Sequence, residues 1–312
     1  MKIFVIGGTG FVGSRLITRL LPEHAITVLT RDKDRAEKLG KINVHSLIGD
    51  LSELGNLSGK VEEQDLVIYL AMPAVKMGRN SLRDIRILTK LIKDYLLNTV
   101  KFVRKHQCPV VFTLGTSYRT KSGEIADETW PIQRFGMTLA GSYFDELILE
   151  LEDEGKIPVI QVLPGQIYGP GGLFKKVLKM VEKKLFLIFG NGENRIPRIH
   201  VNDLVGGYTH IVNQLPIGER FIFADDYSCT TFEFGSYLYE QMHGKPKEPI
   251  RIPGGILRLI LGKYVAETMM MDCRVSNKKA KEILGWSPRY STYKEGLKAT
   301  VAEYRKGNLG FF

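Results

Sequence analysis

The stretch Gly7-Gly8-Thr9-Gly10-Phe11-Val12-Gly13 closes a short apolar run, Lys2 to Gly8, and opens a segment of helical periodicity that stops at Pro22. Strand, glycine loop and helix in that order form a seat for a pyrophosphate. Absent side chains let the backbone approach the anion, and the helix N-terminus stabilises its charge. The spacing reads both as Gly8-x-Gly10-x-x-Gly13 and as Gly7-x-x-Gly10-x-x-Gly13, and Thr9, Phe11 and Val12 complete the loop. A second strand, Ala25 to Thr30, is followed by Arg31, Asp32 and, one helical turn on, Arg35. A site for NAD usually places a carboxylate there to bind the ribose hydroxyls. Thr30 in that place, with Arg31 and Arg35 beside it, favours a 2′-phosphate and therefore NADP, with NAD as the alternative, since guanidinium forks suit phosphate. Asp32 reads as the N-cap of the next helix. Arg35 reads equally well as a solvated helix residue.

These residues need a scaffold. Further apolar runs, Asn43 to Leu47, Leu66 to Leu70, Pro109 to Leu114 and Ile157 to Leu163, predict strands. Between them lie long helical segments at Leu82 to Lys105 and Ile132 to Glu154. Strands alternating with helices imply an α/β fold with a parallel sheet wrapped on both faces. After Pro164, glycine and proline punctuate shorter elements. The expected division is a dinucleotide-binding domain over 1–164, recruiting later segments such as 198–224, and a smaller substrate-side lobe over 165–312.

Composition bounds the rest. The chain has 312 residues, 44% of them hydrophobic, enough for one large domain or two unequal ones. No apolar run is long enough to span a bilayer. A first strand beginning at Lys2 leaves no room for a signal peptide. Cys108, Cys229 and Cys273 are scattered without metal spacing, which favours a reducing cytoplasm. The net charge of +10 favours anionic partners. No nucleic-acid signature is visible, so an anionic small molecule is expected, with no nucleic acid, no membrane and no metal. A homodimer is left open. Gly255 to Gly262 is expected as a buried helix rather than a membrane-touching patch.

Six pieces in order carry a family resemblance: GGTGFVG, GDL (Gly49 to Leu51), YLAMP (Tyr69 to Pro73), LPGQIYGPGG (Leu163 to Gly172), RIHVNDLV (Arg198 to Val205) and NKKAKEILGWSPRY (Asn277 to Tyr290). With them the chain resembles an atypical extended short-chain dehydrogenase/reductase of the NAD-dependent epimerase/dehydratase group. The resemblance implies a Rossmann-like doubly wound sheet with a smaller C-terminal substrate lobe, and an oxidoreductase or epimerase. Lys175, Lys176, Lys179, Lys183 and Lys184, on a helix that borders the substrate in relatives, suit an anionic small molecule such as a nucleotide sugar and read equally as the solvated face of an amphipathic helix. It implies that Asp50 and Leu51 hold the adenine, that Ala71, Met72 and Pro73 line the path to the nicotinamide, and that Pro164 packs beside that ring. His200 and Asp203 are expected to be structural.

The same resemblance exposes a gap. Relatives carry Tyr-x-x-x-Lys early on the fifth long helix, with a Ser or Thr at the end of the preceding strand. The tyrosine exchanges a proton with substrate, and the lysine lowers its pKa. Anchored on Glu146, this chain has Thr138 and Ser142 at those two positions, and Leu114 near the serine position. Tyr290 and Lys294 have the spacing but lie in the C-terminal packing segment. Thr116, Tyr118 and Tyr143 are the remaining polar candidates for the acid. A non-catalytic NADP-binding regulator, sensor or assembly factor is the competing reading, because fold does not dictate function.

Overall fold

The computed structural model describes residues 1–72, 82–116, 118–121, 123–131, 133–136, 138–153 and 157–307. The chain runs β1 (Lys2–Ile6), α1 (Phe11–Leu20), β2 (Ala25–Thr30), α2 (Lys33–Gly40), β3 (His45–Ile48), α3 (Leu54–Leu57) and β4 (Leu66–Tyr69). It continues through α4 (Leu82–His106), β5 (Val110–Thr113), α5 (Thr138–Asp153), β6 (Val159–Pro164), β7 (Gln166–Tyr168), α6 (Phe174–Glu182) and β8 (Leu187–Phe189). Then come β9 (Arg198–His200), α7 (Val201–Gln214), β10 (Arg220–Phe223), α8 (Thr231–His243) and β11 (Ile250–Ile252). Helices α9 (Gly254–Leu261), α10 (Lys263–Met269), α11 (Lys278–Leu284) and α12 (Tyr293–Arg305) end it.

Seven strands form one parallel sheet in the order β10-β6-β5-β4-β1-β2-β3. The strand order reverses between β1 and β4, which opens a crevice at their carboxyl ends where such sheets bind ligands. Side-chain alternation along β1 divides the core. Ile3 and Val5 face a layer built with Leu16 and Ile17 of α1 and Leu204, Tyr208 and Ile211 of α7. Phe4 and Ile6 face the opposite layer, with Leu96, Val100 and Val103 of α4 and Phe144 and Ile148 of α5. Burial on both faces is why these strands read as continuous apolar runs rather than alternating ones.

The segment 198–223 returns to this sheet: β10 pairs with β6, and α7 covers the same face as α1. What remains after Pro164 has its own core, in which Tyr168, Leu178, Phe186, Phe234, Tyr239 and Leu297 meet. Asp203 ties the two together by accepting the backbone amides of Arg289 at 2.9 Å and Tyr290 at 3.1 Å. Trp286 adds a bond from its ring nitrogen to the Asp203 carbonyl at 3.1 Å. The His-Val-Asn-Asp and Gly-Trp-Ser-Pro tracts are therefore two halves of one packing joint.

His200 belongs to that joint and makes it sensitive to acid. Its Nδ1 accepts the Asn202 amide at 3.2 Å and so caps α7, which requires a neutral ring. Burial, with Arg15 and Arg289 nearby, pushes its pKa down from 6.5 to about 3. The unfolded chain takes up a proton near 6.5 and the folded one does not until about 3, so this contribution is present above that window and is lost as pH falls through it. Between about pH 7.5 and 5 the residue is expected to cost about 2 kcal/mol of stability. His200→Asn, which can still cap, should remove that share. Urea midpoints at the two pH values check it; an unchanged pH dependence in the variant defeats the assignment.

Two elements differ from their sequence expectation. The helix expected from Ile132 begins only at Thr138, because Gly136 has φ +51° and cannot continue an α-helix. The stretch Gly255 to Gly262 forms α9, but as an exposed helix rather than a buried one. Leu257 alone of its residues is buried, while Ile256, Leu259 and Ile260 are exposed. Among the described residues no helix is long and apolar enough to cross a membrane.

Candidate functional site

The glycine loop turns directly off β1, and each glycine has its own reason. Gly7 has φ +85°, and a Cβ there would lie 2.9 Å from the Ala71 amide nitrogen, so the loop rests against the end of β4. A Cβ on Gly13 would lie 2.6 Å from the Gly8 Cα, so only glycine lets α1 begin this close to the loop. Gly10 differs: its one near neighbour would be the Gly7 carbonyl, at 3.1 Å, and the rest of its surroundings are open. Gly10 is also the N-cap of α1, with no side-chain capping bond and no acidic residue in the first turn. The positive end of the helix, at Phe11, Val12 and Gly13, is thus left to an external anion.

At the adenosine end, Thr30 is buried and its hydroxyl accepts the Asp32 amide at 3.2 Å. Asp32 caps α2 by accepting the amides of Asp34 at 3.0 Å and Arg35 at 3.1 Å. That cap aims Arg35 back over the loop: its Nη1 donates to the Thr9 hydroxyl at 3.2 Å, and its Nε pairs with Asp32 at 3.3 Å. Arg31 leaves β2 on the other side and pairs with Asp50 at 3.2 Å. Burial pushes the Asp50 carboxyl up, but hydrogen bonds from Ser52 and the charge of Arg31 outweigh it and hold the group below its usual range. Leu51 beside it is buried. Two guanidiniums therefore flank the crevice above β2, and no carboxylate replaces Thr30. These residues fit a nicotinamide dinucleotide: a bare helix end for the diphosphate, and beside it two guanidiniums, each paired with a carboxylate, at the end of β2.

The nicotinamide end is less complete. Ala71 and Met72 extend β4 toward the crevice, with Met72 exposed. Pro73 lies outside the described residues. Pro164 ends β6, and its carbonyl accepts both the amide of Thr116 at 3.1 Å and its hydroxyl at 3.0 Å. The Thr116 proton is thus already committed. Tyr118 is 4% exposed and lies among Leu163, Ile222, Ala224 and Cys273. Burial pushes its phenol up to about 12, with Arg220, Asp145 and Glu128 as its charged neighbours. Tyr143 is 47% exposed, with the Arg134 guanidinium 5.0 Å from its ring centre. Of the three candidates, Thr116 is engaged, Tyr118 is buried and Tyr143 is exposed. Helix α5 carries no lysine, and the Ser142 hydroxyl bonds back to the Leu139 carbonyl at 3.2 Å.

What the sequence reading missed comes from the far end of the chain. Helix α10 lies against the start of α5, with Tyr264 packed beside Ile85, Leu88 and Leu139. The Glu267 carboxylate accepts the Gly136 amide at 3.3 Å, and a Cβ on Gly136 would meet the Thr268 hydroxyl at 2.5 Å. No local pattern marks Glu267, which is 131 positions from its partner. The basic residues after the Gly-Pro-Gly-Gly turn divide. Lys175 and Lys179 line an outer cleft of about 470 Å³ together with Arg305 and Glu182. Arg198 is instead buried, its Nη1 donating to the Ile196 carbonyl at 3.1 Å and its guanidinium 4.1 Å from the Phe234 ring centre. Among the described residues no group of three or more His, Cys, Asp or Glu side chains could hold a metal ion.

The comparisons with known proteins agree with this geometry. The model of the NAD dependent epimerase/dehydratase family matches residues 3–223. An epimerase family protein SDR39U1 homolog (chloroplastic) of Arabidopsis thaliana is 26% identical over 96% of this chain and 87% of its own length. A UDP-glucose 4-epimerase of Mycolicibacterium smegmatis is 24% identical over 98% of this chain and 99% of its own. Among solved structures, the UDP-glucose 4-epimerase of Thermotoga maritima with UDP-glucose superposes with a TM-score of 0.78 at 22% identity, covering 98% of this chain and 99% of that one. Human epimerase family protein SDR39U1 with NADPH gives 0.77 at 19% identity, covering 97% and 99%. With a phosphate loop at the β1/β4 crevice and a family match across more than two thirds of its length, the chain belongs to the NAD-dependent epimerase/dehydratase family of extended short-chain dehydrogenase/reductases.

Proposed function

We propose that this chain is an NADP-dependent oxidoreductase or epimerase that acts on an anionic small molecule, such as a nucleotide sugar, without the Tyr-x-x-x-Lys pair. The observation that carries the cofactor assignment is the pair of guanidiniums at the end of β2, with Arg35 bonded to Thr9 of the phosphate loop. A nicotinamide dinucleotide supplies hydride transfer when bound. The chain supplies the rest: loop amides and the α1 terminus for the diphosphate, Arg31 and Arg35 for the 2′-phosphate, and Asp50 and Leu51 at the adenine. Ala71, Met72 and Pro164 border the nicotinamide. Residues 1–164 with 198–224 hold the dinucleotide on this reading, and the remainder of 165–312 holds the substrate. Glu267 takes the part of the missing acid, because α10 delivers its carboxylate to the entrance of α5. Human SDR39U1, solved with NADPH, and the Thermotoga epimerase, solved with UDP-glucose, are relatives consistent with this reading. Three buried cysteines without disulfides fit a reducing cytoplasm, and a homodimer is the assembly we assign to the chain.

A specific observation favours the second reading, a non-catalytic NADP-binding regulator. The Thr116 hydroxyl is spent on the Pro164 carbonyl and Tyr118 is buried among apolar side chains. Isothermal titration tests what the two readings share. NADP(H) is expected to bind at least about tenfold tighter than NAD(H), or about 1.4 kcal/mol. Arg31→Asp should shrink or invert that gap. Equal affinities in the unaltered protein would defeat the assignment of Arg31.

A further inference from the structure

We propose that α9 and the basic segment leading into it form a docking surface for an anionic lipid bilayer, which revises the expectation of no membrane contact. Ile256, Leu259 and Ile260 recur at i, i+3 and i+4 and so share one stripe of the helix. They are 49%, 75% and 61% exposed, which is unusual for three neighbouring large aliphatics. Leu257 faces inward, and Gly254 rests against Met270, so α9 is anchored from below while its stripe faces outward. At eight residues the helix is far too short to span a membrane and suits one lying in the plane of the interface.

Charge selects the occupant. From Lys245 to Lys263 the chain holds five basic residues and one acidic one, in a protein of net charge +10. Strand β11, which carries exposed Ile250 and Arg251, joins β8 through the Ile250 amide and the Phe186 carbonyl at 2.8 Å. Lys247 donates to the Lys184 carbonyl at 2.6 Å and Arg251 to the Asn191 carbonyl, which fixes both cations on the segment that leads into α9. Two copies of this surface would repel one another, whereas anionic headgroups attract it and the acyl boundary accepts the aliphatic stripe. Lysine and arginine stems flanking such a stripe can lie along the apolar layer with their charges in the headgroup region.

The test is sedimentation of the full chain with phosphatidylcholine vesicles, with and without phosphatidylserine, in low and high salt. The protein is expected to pellet with the phosphatidylserine vesicles, to be released by salt, and to stay in solution with phosphatidylcholine alone. The double substitution Leu259→Glu and Ile260→Glu should lower the bound fraction at least about tenfold. Both positions are exposed, so its melting temperature and NADPH affinity should match the parent. Absence of binding to anionic vesicles would overturn the proposal. So would undiminished binding by the double variant, which would assign the attraction to the lysines without the stripe. A variant that falls from dimer to monomer while the parent ignores lipid would show the stripe to be an interface between copies.

Discussion

Gly10→Val is expected to lower NADPH affinity by at least about 100-fold, near 2.7 kcal/mol, while leaving the melting temperature almost unchanged. Gly10 has φ −81° and ψ −179°, an extended conformation that any residue adopts. A Cβ there would meet little besides the Gly7 carbonyl, at 3.1 Å. The Gly7 carbonyl must give by a few tenths of an ångström, a small cost to the fold, and the added branch enters the space outside the loop where a diphosphate would approach the amides of Phe11 and Val12. Gly13→Ala provides the contrast. Its Cβ would lie 2.6 Å from the Gly8 Cα, so that variant should lose stability as well as binding. Fluorescence titration with NADPH and thermal melts of both proteins separate the two effects. Full binding by Gly10→Val would remove the loop from the cofactor site.

Glu267→Gln is expected to cost about 10²–10⁴ in turnover, the usual loss for a positioned general acid, with NADPH affinity preserved. Glutamine keeps an oxygen that can accept the Gly136 amide, so the contact between α10 and α5 survives. The carboxyl group that would exchange a proton with substrate is replaced by one that cannot. The measurement is NADPH consumption against a panel of nucleotide sugars and small carbonyl compounds, followed by the variant on any compound that turns over. Tyr118→Phe should leave the rate nearly unchanged, because its side chain is buried among Leu163, Ile222, Ala224 and Cys273. Tyr143→Phe should do the same from its exposed position beneath Arg134. Loss of turnover in Thr116→Val but not in Glu267→Gln would return the acid to the end of β5. Tight NADPH binding with no turnover on any compound would favour the non-catalytic reading.

The amino-acid sequence by itself determined the parts whose causes are local. The strands β1, β2, β4 and β6 are apolar runs, and the glycines of the loop answer to a turn and to close backbone approach. Asp32 was legible as a cap because capping acts within three residues. The lack of a lysine on α5 was legible for the same reason. Tertiary structure alone decided the rest. Arg35 could be a solvated helix residue or a site residue, and only the folding of α2 over the loop brings it to Thr9. Tyr118 and Thr116 read as polar candidates, yet packing against β6 and β10 hides one hydroxyl and engages the other. For α9 the sequence shows an apolar helix but not what covers it, since burial belongs to the neighbours as much as to the residue. Glu267 meets Gly136 across 131 positions, a contact made by the docking of α10 onto α5, and chain-local periodicity carries no information about a partner that distant.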